Sequence, residues 1–121
     1  MTWSFANDRA IYLQIMDELI VKIISGEYPL GSKLPPVREL AADIKVNPNT
    51  LQRAFVELEN LNIIYTKRTS GRFVTENNEI LAELRNNLAN TNIDNFFNKM
   101  THLGFTNKEI FEYLDMRKEE E

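Results

Sequence analysis

At 121 residues with a net charge of −4, the chain is long enough for one compact domain and a helical appendage. It has no cysteine and a single histidine, His102, which excludes a disulfide framework, a thiolate metal site or nucleophile, and a multi-histidine metal cluster. No apolar run approaches the ~20 residues of a membrane helix, and "MTWSFANDRA" has no basic region ahead of an apolar stretch, so a cytoplasmic protein is expected.

The first helix is read from Tyr12, Ile15, Met16, Leu19, Ile20, Ile23 and Ile24, which recur at three- and four-residue spacing. The pattern predicts a helix from Asp8 to Ser25, with Asn7 or Asp8 as cap and Gly26 as the left-handed residue that ends it. "YPLG" then reads as a type I turn with Pro29 at its second position. Pro35 and Pro36 precede a short second helix, Val37 to Ile44, whose apolar face is Val37, Leu40, Ala41 and Ile44.

A tight "KVN" connection leads to "VNPNTLQRAFVELE", where Asn47 suits the cap position and Pro48 the first helical residue. Leu51, Ala54, Phe55, Leu58 and Leu61 form the expected buried stripe of this third helix, and Asn49, Thr50, Gln52, Arg53 and Val56 the opposite face. Two helices joined this tightly fit a helix-turn-helix. "NIIYTKRTSGRFVT" follows as a β-hairpin with "RTSG" at the turn. Three helices and a basic hairpin make a winged helix-turn-helix, predicted to occupy residues 1–75.

Beyond Thr75 the composition shifts to Asn and Glu. The apolar spacing predicts one long helix from Asn78 to Leu103, ended by Gly104. Thr106 and Glu109 form a T-x-x-E capping box for a last helix carrying Ile110, Phe111 and Leu114, before a solvated "RKEEE" tail. Residues 76–121 are expected to form a small two-helix region in a mainly α chain.

Charge is unevenly spread. Residues 30–75 hold seven basic and four acidic side chains, whereas residues 76–121 hold five basic and ten acidic ones. The acidic total therefore coexists with a basic central block, and DNA binding depends on the local patch. In a helix-turn-helix the second helix enters the major groove by its N-terminal residues. That nominates Asn49, Thr50, Gln52 and Arg53, since Asn and Gln pair with adenine and Arg with guanine or a phosphate. Asn47 is either a cap or a DNA contact. Arg38 opens the helix that crosses the backbone, its alternative being a surface pair with Glu39 or Asp43. Lys67, Arg68 and Arg72 cluster on the hairpin, placed to reach backbone or minor groove rather than serve as solubility charges.

The segment "GEYPLGSKLPPVRELAADIKVNPNTLQRAFVELENLNIIYTKRTSGRFV" resembles the DNA-binding domain of the GntR family of bacterial transcription regulators. The resemblance rests on "G-x-x-x-x-G-x-x-L-P", "REL-A", "V-x-x-N-T", "A-x-x-x-L-E" and the wing "G-x-F-V", over Gly26 to Val74. "VNPNT" and the short helical tail resemble the YtrA subfamily, whose small C-terminal region dimerises and whose members are often repressors. The resemblance implies DNA-contacting roles for Arg38, Asn49 and Thr50, and identifies Gly71 as the wing glycine. Pro48 and Gln52 stand where some branches carry arginine, so a different preferred sequence is expected. Thr69 replaces the first glycine of the usual R-G-x-G wing, and Pro36 replaces a capping serine.

The expected function is a sequence-specific repressor that binds a two-fold operator as a homodimer. Leu84, Leu88, Ile93, Phe96, Phe97, Met100 and Leu103 are the expected dimer contacts, the alternative being that they fold back on the chain's own winged domain. An effector site among Phe96, Phe97, Phe105 and Phe111 competes with plain core packing of these rings. The rival function is a protein-interaction module on a winged scaffold. No cofactor is expected. No cysteine, phosphate-cradling glycine loop or histidine paired with a nucleophile supports an enzyme.

Overall fold

In a computed structural model, residues 3–7 and 9–118 are described. The elements run α1 (Ile11–Ile24), α2 (Val37–Ile44), α3 (Pro48–Asn60), β1 (Ile64–Lys67), β2 (Gly71–Val74), α4 (Asn78–His102) and α5 (Asn107–Lys118). The chain divides into compact units of residues 1–84 and 85–121.

The first unit closes around the stripes of α1 and α3. Ile15, Leu19, Leu51, Ala54, Phe55 and Leu58 are fully buried, joined by Leu40 and Ala41 of α2 and by Ile63, Ile64 and Val74 around the hairpin. Each large apolar side chain removed from water here contributes roughly 1.5–3 kcal/mol. Leu61 departs from the predicted stripe. It lies just past the end of α3, where Asn62 turns to φ 62°, and is 55% exposed.

Two local expectations are corrected. Among the described residues α1 begins at Ile11, and no side chain caps it. Asp8 lies outside the described residues. Gln14 holds the preceding segment instead. Its Oε1 accepts from the Ala6 N–H at 2.7 Å, and its Nε2 donates to the Ala6 and Arg9 carbonyls at 2.8 Å each. The turn after α1 starts one residue later than "YPLG" suggested, with Ser32 N–H donating to the Pro29 carbonyl at 3.0 Å. Gly31, its third residue, has φ 74°, which belongs to a type II turn and favours glycine.

Lys22 was not singled out by the sequence. It is 4% exposed, donates to Glu27 Oε2 at 3.0 Å and lies 5.4 Å from the centre of the Trp3 ring. An aliphatic stem buried along α1 with its charge paired accounts for a lysine in this apolar setting.

The hairpin pairs Ile64 with Val74 and Lys67 with Gly71, antiparallel. The loop before α2 adds a third edge through a bridge from Lys33 to Phe73, with Leu34 N–H donating to the Arg72 carbonyl at 2.8 Å and Val74 N–H to the Ser32 carbonyl at 2.9 Å. This edge fixes the wing beside the start of α2.

α4 follows its expected course, and its 25 residues span about 37 Å at 1.5 Å each. None of its residues is buried. In the second unit Thr106 and Glu109 form the reciprocal cap. Glu109 N–H donates to Thr106 Oγ1 at 3.2 Å, and Glu109 Oε1 accepts from the Thr106 N–H at 3.1 Å. Ile110 is fully buried, and Phe97 sets its ring against both Phe96 and Phe111, with centroids 5.6 and 5.5 Å apart. The three rings contact one another, while Phe96 and Phe111 stay exposed. The end of the "RKEEE" tail, residues 119–121, lies outside the described residues.

Candidate nucleic-acid interface

α2 ends on Lys45, whose φ of 59° turns the chain sharply, and Val46 N–H closes the end by donating to the Ala41 carbonyl at 3.0 Å. Three residues later α3 is under way. Its start is fixed by Asn47, whose Oδ1 accepts from the Asn49 N–H at 2.8 Å, and by Pro48 at the first position. The Asn47 side-chain oxygen thus acts as a cap. Its amide nitrogen makes no hydrogen bond among the described residues.

The polar face of α3 is not uniform. Asn49 is exposed and Thr50 half-buried, and neither side chain is held by another among the described residues. Gln52 is exposed, but its Oε1 accepts from Arg72 Nη1 at 3.3 Å. Arg53 turns towards α1, its guanidinium carbon 3.8 Å from the centre of the Tyr12 ring. This cation–π stack holds the arginine along one edge of the helix rather than leaving it to swing outward.

Arg72 departs most from expectation. The sequence grouped it with the cations of the wing tip. Its guanidinium instead lies on α3, with Nε donating to Glu59 Oε1 at 2.6 Å and the guanidinium carbon 5.2 Å from the centre of the Phe55 ring. The reason is its position in β2, opposite Thr66 and two residues before Val74, near the buried Ile64–Val74 end of the hairpin.

The other wing cations stay accessible. Lys67 places its ammonium 4.8 Å from the centre of Phe73, above the stacked Tyr65–Phe73 pair, and Arg68 is exposed at the tip. The Tyr65 hydroxyl donates to Glu76 Oε1 at 3.3 Å. Desolvation, and then the Glu76 charge and hydrogen bond, raise its pKa. Arg38 is exposed on α2 and forms no ion pair among the described residues, which leaves its charge uncommitted.

Lys33 is a basic residue that the sequence reading passed over. It sits in the edge that bridges to Phe73, and its Cε lies 3.1 Å from where a Cβ on Gly71 would stand. Gly71 has φ 115°, a backbone conformation that favours glycine at this position. Lys33, Lys67, Arg68 and Arg72 line one cleft of about 300 Å³ between the start of α2 and the wing. The signal available in the sequence was the spacing of Lys33 immediately before "LPP", but only pairing with β2 brings it to the wing.

Among the described residues no cluster of His, Cys, Asp and Glu is arranged to hold a metal, and no helix is long and apolar enough to cross a membrane. The arrangement is a helix start rich in short polar side chains, flanked by cations, in a form suited to a polyanion with readable edges.

The family model described as "Bacterial regulatory proteins, gntR family" matches residues 11–74. The chain is 42% identical over 109 residues to YhcF, an uncharacterised helix-turn-helix-type transcriptional regulator of Bacillus subtilis, covering 90% of each. It is 45% identical over 67 residues to the transcriptional repressor YtrA of the same organism, a match covering 55% of this chain and 52% of that protein. Among solved structures, a GntR family transcriptional regulator from Listeria monocytogenes superposes with a TM-score of 0.83 at 38% identity, over 93% of this chain and 98% of that one.

Proposed function

Because the chain belongs to the GntR family of bacterial regulatory proteins, and so is a transcriptional regulator with a winged helix-turn-helix DNA-binding domain, we propose that it is a repressor that binds a two-fold operator as a homodimer. The observation that carries this reading is the start of α3. Asn49, Thr50 and Gln52 stand exposed or half-exposed beyond an Asn47 cap, on a helix whose other face is locked into the core. In this reading they meet base edges in the major groove.

Arg38, Lys67, Arg68 and the newly recognised Lys33 take the phosphates on either side. Phosphate contacts position the protein, and base contacts choose the sequence. Arg53, stacked on Tyr12, serves as a charge held at a fixed place beside the groove. Asn47 acts first as the helix cap.

The dimer reading draws support from the apolar residues of the C-terminal region. Ile93, Phe96 and Leu103 are exposed in the single chain, and Leu84, Leu88, Phe97 and Met100 are half-buried. A second copy would cover them, and a two-fold dimer presents two α3 helices to half-sites about one helical turn apart. The match to a protein named as a repressor favours repression over activation.

Selection of bound duplexes from a random library with the intact chain tests the reading. The expected product is one enriched sequence with two inverted halves. An enriched sequence without internal symmetry contradicts the dimeric arrangement, and no enrichment contradicts sequence-specific binding.

A further inference from the structure

The Arg72 guanidinium joins two residues of α3 that stand seven positions, nearly two helical turns, apart. Nε donates to Glu59 Oε1 at 2.6 Å, and Nη1 donates to Gln52 Oε1 at 3.3 Å across the face of Phe55. The arginine side chain is only 20% exposed, so the charge is anchored rather than waving in solvent.

Arginine carries donors and no acceptor, so the Gln52 amide can turn only its oxygen towards it. The Nε2 group, with two N–H donors, makes no hydrogen bond among the described residues. A glutamine that recognises adenine must turn both atoms to the base, accepting from N6 and donating to N7. A second lone pair remains on Oε1, but the bond to Arg72 turns that oxygen towards the wing. The group left for DNA is a donor.

We infer that Arg72 is a positioning residue that makes Gln52 a hydrogen-bond donor to DNA, setting a preference for a G·C pair over an A·T pair at the position Gln52 reads. Guanine presents two acceptors, N7 and O6, on one edge, whereas adenine presents an acceptor beside a donor. Glu59 acts one step further back by holding Arg72. The inference rests on the reading of α3 as the major-groove helix. It adds a rule for specificity that lies in the wing rather than in the recognition helix alone.

Library selection with the intact chain and with Gln52→Ala identifies the base pair whose preference depends on Gln52. At that pair the wild-type chain is expected to select G·C. Arg72→Met keeps an aliphatic cover over Phe55 and removes every donor. It is expected to move the preference towards A·T by about tenfold, the scale of one good bidentate contact. Glu59→Ala releases Arg72 without altering the wing and is expected to shift the preference the same way. It also provides the test should Arg72→Met fail to fold, as judged by circular dichroism.

A purely structural role would lower preference evenly at all positions, and that result in both variants overturns the inference. So does an A·T pair selected by the wild-type chain, or an unchanged preference in both variants. A recovered operator in which Gln52→Ala alters no position overturns it while leaving the wider reading intact. A library with no enriched sequence overturns both.

Discussion

The two units of this chain use similar residues to different ends. In the first, Ile15, Leu19, Leu51, Phe55 and Leu58 come from two helices and leave no surface in water. In the second, Ile110 is buried, while Leu103 is 72% exposed and Phe111 56%. A stripe at helical spacing therefore says that a helix has an apolar face, but not what covers it. The first unit supplies its own cover. The second leaves apolar side chains exposed, which is why the proposed dimer treats it as half of a core.

The comparison breaks most sharply under truncation of the rings. Phe55→Ala is expected to destabilise the first unit by about 3–5 kcal/mol, since a fully buried ring leaves a cavity. Phe111→Ala, at a largely exposed ring, is expected to cost roughly 1 kcal/mol or less when the chain is dilute. Denaturant titration of both variants checks the contrast, and equal losses would erase it. Charge in the second unit comes next. Leu103→Lys is expected to leave the far-ultraviolet spectrum unchanged while moving the chain from dimer to monomer, which light scattering at several concentrations reads.

Two smaller effects sharpen the picture of the first unit. Asn47→Ala removes the acceptor of the Asn49 N–H and is expected to cost about 1 kcal/mol of thermal stability. A larger loss of DNA affinity than of stability would assign the side chain a contact beyond its cap. Lys67→Ala is expected to weaken binding to all sequences alike and to reduce the salt slope of log K by about one. A loss confined to one sequence would make Lys67 a base reader.

Much of the fold was legible because it depends on local rules. Val37–Ile44, the Asn47–Pro48 helix start, the hairpin around "RTSG" and the Thr106–Glu109 box each follow from a few neighbouring residues. What stayed hidden depends on partners distant in sequence. Nothing near Arg72 announces Glu59 thirteen positions earlier, nor does anything near Arg53 announce Tyr12. Lys33 reads as a loop charge until the bridge to Phe73 forms. The sequence could nominate a polar face on α3, but which side chains of that face are already engaged is decided by the wing and by α1. Gln52 and Arg53, adjacent in the chain, are held by different elements, and their expected roles differ accordingly.

In the proposed complex, two copies joined through their C-terminal regions set two α3 helices on one operator. The mass of the complex between the intact chain and its selected duplex, measured by light scattering with the DNA at a known concentration, tests it directly. Two chains per duplex, with a dimer of the same kind in the absence of DNA, is the predicted result. One chain per duplex, saturating the operator without a second, would contradict it.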